Sequence, residues 1–290
     1  MRIAAVALLA LVALGAAPAA ASTYFPAEKT CPVGGEKFKV MALASISTFG
    51  ALPDGMPIGS GMFPIALFQC PGNGLVMYRD FDAATVRRLA PIVAGAEYQV
   101  LRRTETPYYL AYRLALALGD AEPEWLLLSA TWQAKNNNDL VMARRYGEEF
   151  VARVAAMPVL ATSFTSIALR ARAANALREL GRFKDAEILR ASIVIAADAG
   201  GTDEDASDNR KGWGEYLASL AAPIARGDAA RDPIDMAAPR EAGFRCVAPL
   251  RKKNPGPPLS AFEAAYCARP EMASQLADLR RQIGDMLVAP

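Results

Sequence analysis

Histidine is missing from all 290 residues. That absence removes imidazole-based catalytic triads, HExxH zinc sites and histidine proton shuttles from consideration. Nothing in the sequence stands in for them: there is no GxSxG, no SxxK and no pair of acids isolated in an apolar setting. The glycine-rich stretch from Gly55 to Gly61 lacks the GK[ST] ending of a phosphate loop and reads as a flexible turn. Excess charge of either sign is also lacking, with 32 basic residues against 30 acidic ones. A chain so balanced does not take nucleic acid or anionic lipid as its main partner, because phosphate neutralisation drives such binding. Val and Ile are modest beside abundant Ala, which favours helix over sheet. Beyond residue 21 no apolar run reaches spanning length without charges or prolines, so no transmembrane segment is expected in the mature chain.

The first 21 residues have the three-part layout of a cleavable secretory signal. Arg2 gives the positive start, Ile3 to Leu14 the apolar run, and Gly15 to Ala21 a small-residue end broken by Pro18. The run is about 12 residues, short of the roughly 20 a membrane-spanning helix needs. Ala19 and Ala21 fit the A-x-A rule, placing cleavage before Ser22, and no cysteine lies nearby to accept a lipid. The expected location is outside the cytoplasm, in a bacterial periplasm or secreted. Cys31, Cys70, Cys246 and Cys267 all follow the signal, and an even number in an oxidising compartment reads first as disulfides. Four cysteines allow three pairings, and a four-cysteine zinc site is the alternative.

The predicted fold class is α+β, mostly α, in three parts after the signal. Residues 22–105 are rich in turn formers, such as Pro32-Val33-Gly34-Gly35, Pro53-Asp54-Gly55 and Pro71-Gly72-Asn73-Gly74. Short apolar stretches between them (38–41, 65–68, 75–78) suit short strands, and Asp82 N-caps a helix to about Ala94. Residues 106–199 carry five amphipathic segments, at 107–118, 122–134, 139–155, 162–180 and 183–197. Their short connections imply antiparallel neighbours. In residues 200–290 the acidic stretch Gly200 to Lys211 reads as an exposed loop, followed by a helix at about 214–225 and a proline-punctuated segment. Helices at about 260–267 and 270–287 close the chain. Arg251-Lys252-Lys253 reads as solvated linker.

Around Gly181, small Ala174, large Leu177, aromatic Phe183 and small Ala186 fall where two helices pack by facing small side chains with bulky ones. The segment Ala173 to Leu189 resembles the turn region of a tetratricopeptide repeat, and Tyr108 to Trp132 resembles a looser copy around Gly119. Cys31-Pro32-Val33-Gly34-Gly35 and Cys70-Pro71-Gly72-Asn73-Gly74 each resemble a CPxCG zinc knuckle whose second cysteine is replaced, by Gly34 and by Asn73. The order resembles a bacterial family of uncharacterised proteins that joins two such knuckles to tetratricopeptide-like helices. Structural zinc wants four ligands, and this module keeps two thiols, so the resemblance implies that the metal is lost and no cofactor is held. It also implies that thiols once facing one metal oxidise, linking Cys31 to Cys70 and leaving Cys246 for Cys267.

These readings point to a non-enzymatic scaffold that binds a protein or peptide partner through a helical groove. Tyr108, Tyr109, Tyr112 and Arg113 are its expected exposed face, since Tyr and Arg concentrate binding energy. The competing reading packs some of these tyrosines against Trp125 or Trp132, which lie seven apart on one helix face. The alternative function is a secreted hydrolase using Ser, Lys or carboxylates. A deep pocket with a shifted lysine or carboxylate would favour the hydrolase, and a shallow groove lined by exposed aromatic and polar side chains the scaffold.

Overall fold

The computed structural model describes residues 22–287; the expected signal segment and its cleavage site after Ala21 lie outside them. Three separate two-stranded antiparallel ribbons precede the helices: β1 (Thr23–Thr30) with β2 (Lys37–Ser45), β3 (Thr48–Ala51) with β4 (Pro57–Gly59), and β5 (Phe68–Gln69) with β6 (Val76–Met77). The fold is α+β and mostly α, as composition predicts. No helix among the described residues is long and apolar enough to cross a membrane.

Both disulfides form as the knuckle resemblance implies, Cys31 with Cys70 and Cys246 with Cys267, and no cysteine is free. The two bridges lie in different apolar clusters, so the four thiols do not converge on one metal. Each Cys-Pro loop closes in the same way. Cys31 N donates to Glu36 O (2.8 Å) and Gly35 N to Cys31 O (3.1 Å); Cys70 N donates to Leu75 O (2.9 Å) and Gly74 N to Cys70 O (2.9 Å). Asn73, where a second knuckle cysteine would stand, joins the loops by donating to Val33 O (2.7 Å).

The helix α1 (Ala83–Ala94) starts at Asp82, whose carboxylate accepts from Thr85 N (2.7 Å), as predicted. A second helix that periodicity did not resolve, α2 (Ala96–Thr104), follows after the single residue Gly95. Its Arg102 ties down the Cys70 loop through Gly72 O (2.9 Å) and Pro71 O (2.6 Å). The next helix, α3 (Pro107–Leu118), shares one apolar cluster with the knuckle loops, α1 and α2, through Leu110, Ala111 and Leu114. The change in sequence texture at residue 106 is therefore not a break in the core.

Five helices follow: α4 (Glu124–Asn136), α5 (Leu140–Ala156), α6 (Phe164–Glu179), α7 (Phe183–Ser192) and α8 (Glu204–Ala225). Each packs on its neighbour in sequence, and α6 also touches α8. The turn at Gly181 has a counterpart at Asn138. Gly181 N donates to Arg178 O (3.0 Å) and Arg182 N to Leu177 O (2.9 Å); Asn138 N donates to Lys135 O (3.0 Å) and Asp139 N to Ala134 O (3.0 Å). Both turn residues take positive φ, 75° and 57°, the left-handed closure that satisfies the last helical carbonyls. In both hairpins the second helix begins two residues later. Gly119 closes α3 with the same two bonds, Gly119 N to Leu116 O (3.1 Å) and Asp120 N to Ala115 O (2.9 Å), but the chain then takes four more residues before α4, so in turn length the hairpin matching Gly181 is α4–α5. The expected packing residues Ala174, Leu177, Phe183 and Ala186 meet in one cluster with Leu220 and Ile224 of α8.

The acidic stretch after Ala199 is helix rather than loop from Glu204 on. Asp203 caps it, accepting from Ala206 N (2.7 Å), and Glu204 and Asp205 sit in the first turn, where backbone amides favour negative charge. The proline-punctuated segment contains α9 (Pro239–Val247), which packs with α10 (Ala261–Cys267) and α11 (Pro270–Ile283) around the Cys246–Cys267 bridge.

Burial pushes the phenols of Tyr98 and Tyr108 from 10.0 up to about 12. Each hydroxyl donates to a backbone carbonyl, Gly74 O (2.9 Å) and Ile65 O (2.6 Å). A raised folded pKa gives stability that is fully present below the unfolded value and is lost as pH rises through the folded one. Difference absorbance at 295 nm should therefore show these two phenols still protonated at pH 11 while the fold persists. Full ionisation near pH 10 in the native chain would contradict their burial.

Candidate functional site

The expected exposed face on α3 is a core element. Tyr108, Tyr109 and Tyr112 are 9%, 5% and 1% exposed and share a cluster with Leu127, Leu128 and Phe150. Tyr109 stacks on Tyr146 at 4.5 Å and donates to Glu149 (2.9 Å). Arg113 is half-buried and paired with Glu97 (2.7 Å). Three apolar-bodied rings beside Leu110 and Leu114 leave α3 little polar surface, so burial prevails over display, and Trp125 and Trp132 border the same cluster. The face is overturned as a free binding surface.

Charge instead gathers in a cavity of about 450 Å³ lined by α4, α5, α6 and the loop after α8. Its floor is apolar, with Leu128, Phe150 and Ala176. Its charged lining residues are Lys135, Arg144, Arg172 and Arg231 against Asp54 and Glu179. Lys135, in the last turn of α4, bonds Asp54 Oδ2 at 2.8 Å and Glu179 Oε2 at 2.6 Å. Asn175 Nδ2 donates to the other oxygen of Glu179 (2.7 Å). Arg172, Asn175 and Glu179 recur at helical spacing on α6 and so reach one side of it.

Arg178, fully buried, braces this floor. It donates to Asn175 Oδ1 (3.0 and 2.9 Å) and to the carbonyls of Asp228 and Ala230 (2.7 Å each). Burial opposes the Lys135 charge, but Glu179 and Asp54 outweigh it and hold the ammonium above its ordinary range. Desolvation, outweighing Lys135, pushes the Glu179 carboxyl up.

Asp54 belongs to no helix. It is the tip of the β3–β4 hairpin, where Leu52 N donates to Met56 O (2.8 Å) and Gly55 N to Leu52 O (2.8 Å). Every residue of β3 is exposed, yet Pro53 and Asp54 at the tip are buried, Asp54 to 3% exposure. The tip is held from several sides. Pro53 O accepts from Arg172 (2.8 Å) and from Tyr216 of α8 (2.6 Å), while Arg172 also lies over the Tyr216 ring at 4.6 Å and the Trp213 ring at 5.1 Å. Asp54 Oδ1 accepts from Met56 N (3.0 Å). Arg231 Nε approaches Asp54 Oδ2 at 3.7 Å and is buried without a hydrogen-bond partner. Gly55 has φ +87°, and a β-carbon there would stand 2.6 Å from Arg172 Nε, so glycine alone fits.

None of Asp54, Lys135, Arg172, Glu179, Tyr216 or Arg231 was singled out by sequence. Pro53-Asp54-Gly55 reads as a turn and no more, and nothing local ties it to α4 or α6. A usable signal was the polar row Arg172, Asn175, Glu179 on a helix whose other positions are mainly alanine and leucine. Comparison with protein families, curated proteins and solved structures finds no match to the chain.

Proposed function

We propose that the chain is a periplasmic interaction protein: a disulfide-stapled, knuckle-like module on tetratricopeptide-like helical hairpins that bind a protein or peptide partner. Two disulfides support an oxidising compartment, with the segment Arg2 to Ala21 as the export signal. Matching turns at Asn138 and Gly181 support a repeat-like origin of the hairpins. The observation that carries the reading is the groove itself. Its side chains grip a protruding chain segment through a backbone carbonyl and one acidic side chain, which is how a peptide is held.

The same cavity favours a second reading, a hydrolase working with Asp54, Glu179 and Lys135, because it is a pocket in which Lys135 and Glu179 are both held above their ordinary values, the feature expected of a hydrolase. Against it, the three charges are spent on one another, and the buried hydroxyl nearby, Thr131, donates to Leu128 O (2.7 Å).

Photo-crosslinking in the periplasm separates the two. A photo-reactive residue replacing Leu140, at the cavity and 69% exposed, should give a discrete protein adduct. The same residue replacing Ile188 on α7, 61% exposed, should not. Equal adducts or none would remove the scaffold reading, and turnover of a small substrate abolished by Glu179→Gln would establish the other.

A further inference from the structure

The groove carries an excess of cations that its guest reduces but does not cancel. With Asp54 withdrawn, the cavity keeps Lys135, Arg144, Arg172 and Arg231 against Glu179 alone. Arg144 has its own partner outside, Glu148 at 3.0 Å, which still leaves three cations facing one carboxylate. These cations are held in place by the helical body. Glu179 fixes Lys135, the rings of Trp213 and Tyr216 fix Arg172, and Asn136 on α4 accepts from Arg231 (3.0 Å). Lys135 and Arg172 are thus preorganised by contacts that do not involve the tip, which favours exchanging one occupant for another, while Arg231 and Asn136 also bond Met56 Sδ of the tip (2.9 and 3.7 Å).

The guest is attached the other way. The β3–β4 ribbon pairs with no other strand, β3 is exposed throughout, and Phe49 and Met62 on and beside the ribbon are 59% and 79% exposed. The β4 side is half-buried and is followed by anchors at Phe63 O, which accepts from Asn136, and Ile65 O, which accepts from Tyr108, so on the exposed β3 side the hydrogen bonds and ion pairs of the tip carry the attachment.

We propose that the surface beside the cavity, formed by α4, α6, Tyr216 of α8 and Arg231, is a receptor for an aspartate-bearing tight turn on a partner protein, and that the chain's own Pro53-Asp54-Gly55 turn, whose Asp54 walls the cavity, covers it until that partner displaces it. This rests on the scaffold reading and names the chemistry of its partner. The acid supplies the missing negative charge between Lys135 and Arg231. The residue before it presents a carbonyl to Arg172 and Tyr216. The residue after it is glycine, because its backbone takes φ +87° and a β-carbon there would have to displace Arg172.

The test uses a peptide spanning Thr48 to Gly59, closed by a disulfide between added terminal cysteines, as the probe. One receptor is the full mature chain; the other is the same chain with residues 52–56 replaced by a Gly-Ser segment of equal length. The peptide should bind the tip-replaced chain at least about tenfold more tightly than the intact chain, because the intact tip competes at an effective concentration of roughly millimolar. Asp54→Asn in the peptide, or Lys135→Met in the receptor, should each weaken binding at least about tenfold. A tip-replaced chain with native circular dichroism that does not bind, or that binds no better than the intact chain, overturns the proposal. Should the replacement unfold the chain, the intact receptor decides. Saturable binding at millimolar peptide that requires Asp54 supports the proposal, and its absence overturns it. A photo-adduct from Leu140 that persists while the peptide fails leaves the scaffold reading standing and removes only the acidic turn; loss of the adduct removes the scaffold reading itself.

Discussion

Replacing Lys135 by Met should destabilise the chain by about 3–5 kcal/mol, because it takes from two buried carboxylates their closest cation and leaves Asp54 only Arg231 at 3.7 Å and Glu179 only Arg178 at 3.8 Å. The expected loss is set by the stranded carboxylates and not by the worth of the ion pairs, since burying a charge without a partner costs far more than a formed pair gains. Removing the two poorly paired carboxylates as well should therefore restore part of the stability. The triple variant Lys135→Met, Asp54→Asn, Glu179→Gln should recover at least half of the loss. Urea unfolding with unchanged m-value is the measurement. A single-variant loss below about 1 kcal/mol would place the cluster in water, where exposed pairs are worth that little, and would remove the groove from the interior.

The second large effect concerns the Cys31–Cys70 bridge. Its cysteines are 39 residues apart, and the chain-entropy relation gives about 4 kcal/mol for a loop of that length. Cys31→Ala with Cys70→Ala should show a loss of that order in urea. The enclosed loop contains β2, β3, β4 and β5, and with them Asp54. Cutting the bridge should therefore also loosen the tip from the groove. The Cys246–Cys267 pair serves as the control: it encloses a shorter loop, with a separation of 21, and should cost about 3 kcal/mol without changing the tip. Equal loosening of the tip by both double variants would break the link drawn here between the staple and the groove.

Much of the helical part was legible because its signals are local. Pro107, the left-handed Gly119 and Gly181, and the spacing of Ala174, Leu177, Phe183 and Ala186 mark where helices begin, end and touch. The hairpin at Asn138 is legible from its two helices, but its likeness to the Gly181 turn is not, because asparagine, not glycine, takes the positive φ there. The strand Thr23–Thr30 was missed because Pro26 interrupts it and its first four residues, Tyr24 and Phe25 among them, are all exposed, which leaves no alternation of burial there. The stretch from Glu204 was misread because acidic residues mark a loop and a helix N-terminus equally well. The site was illegible for a different reason. Asp54, Lys135, Glu179, Tyr216 and Arg231 come from five separate stretches of sequence, and only the docking of the β3–β4 tip brings them together. The tyrosines of α3 were misplaced because Tyr and Arg are enriched at interfaces and equally serve as buried rings with a tethered hydroxyl, and sequence alone does not separate the two uses.

Native-state hydrogen exchange on the intact mature chain tests the central claim most directly, since a groove that binds a partner must first release its own tip. The amides of Gly55 and Met56 are bonded only within the turn, to Leu52 O and Asp54 Oδ1. They should exchange through a local opening, at least about 100-fold faster than the amides of Ala173 and Ala174 in α6, which open only with global unfolding. Gly55 and Met56 amides that exchange at the global rate would make the tip an inseparable part of the core, and the groove would never be available to another protein.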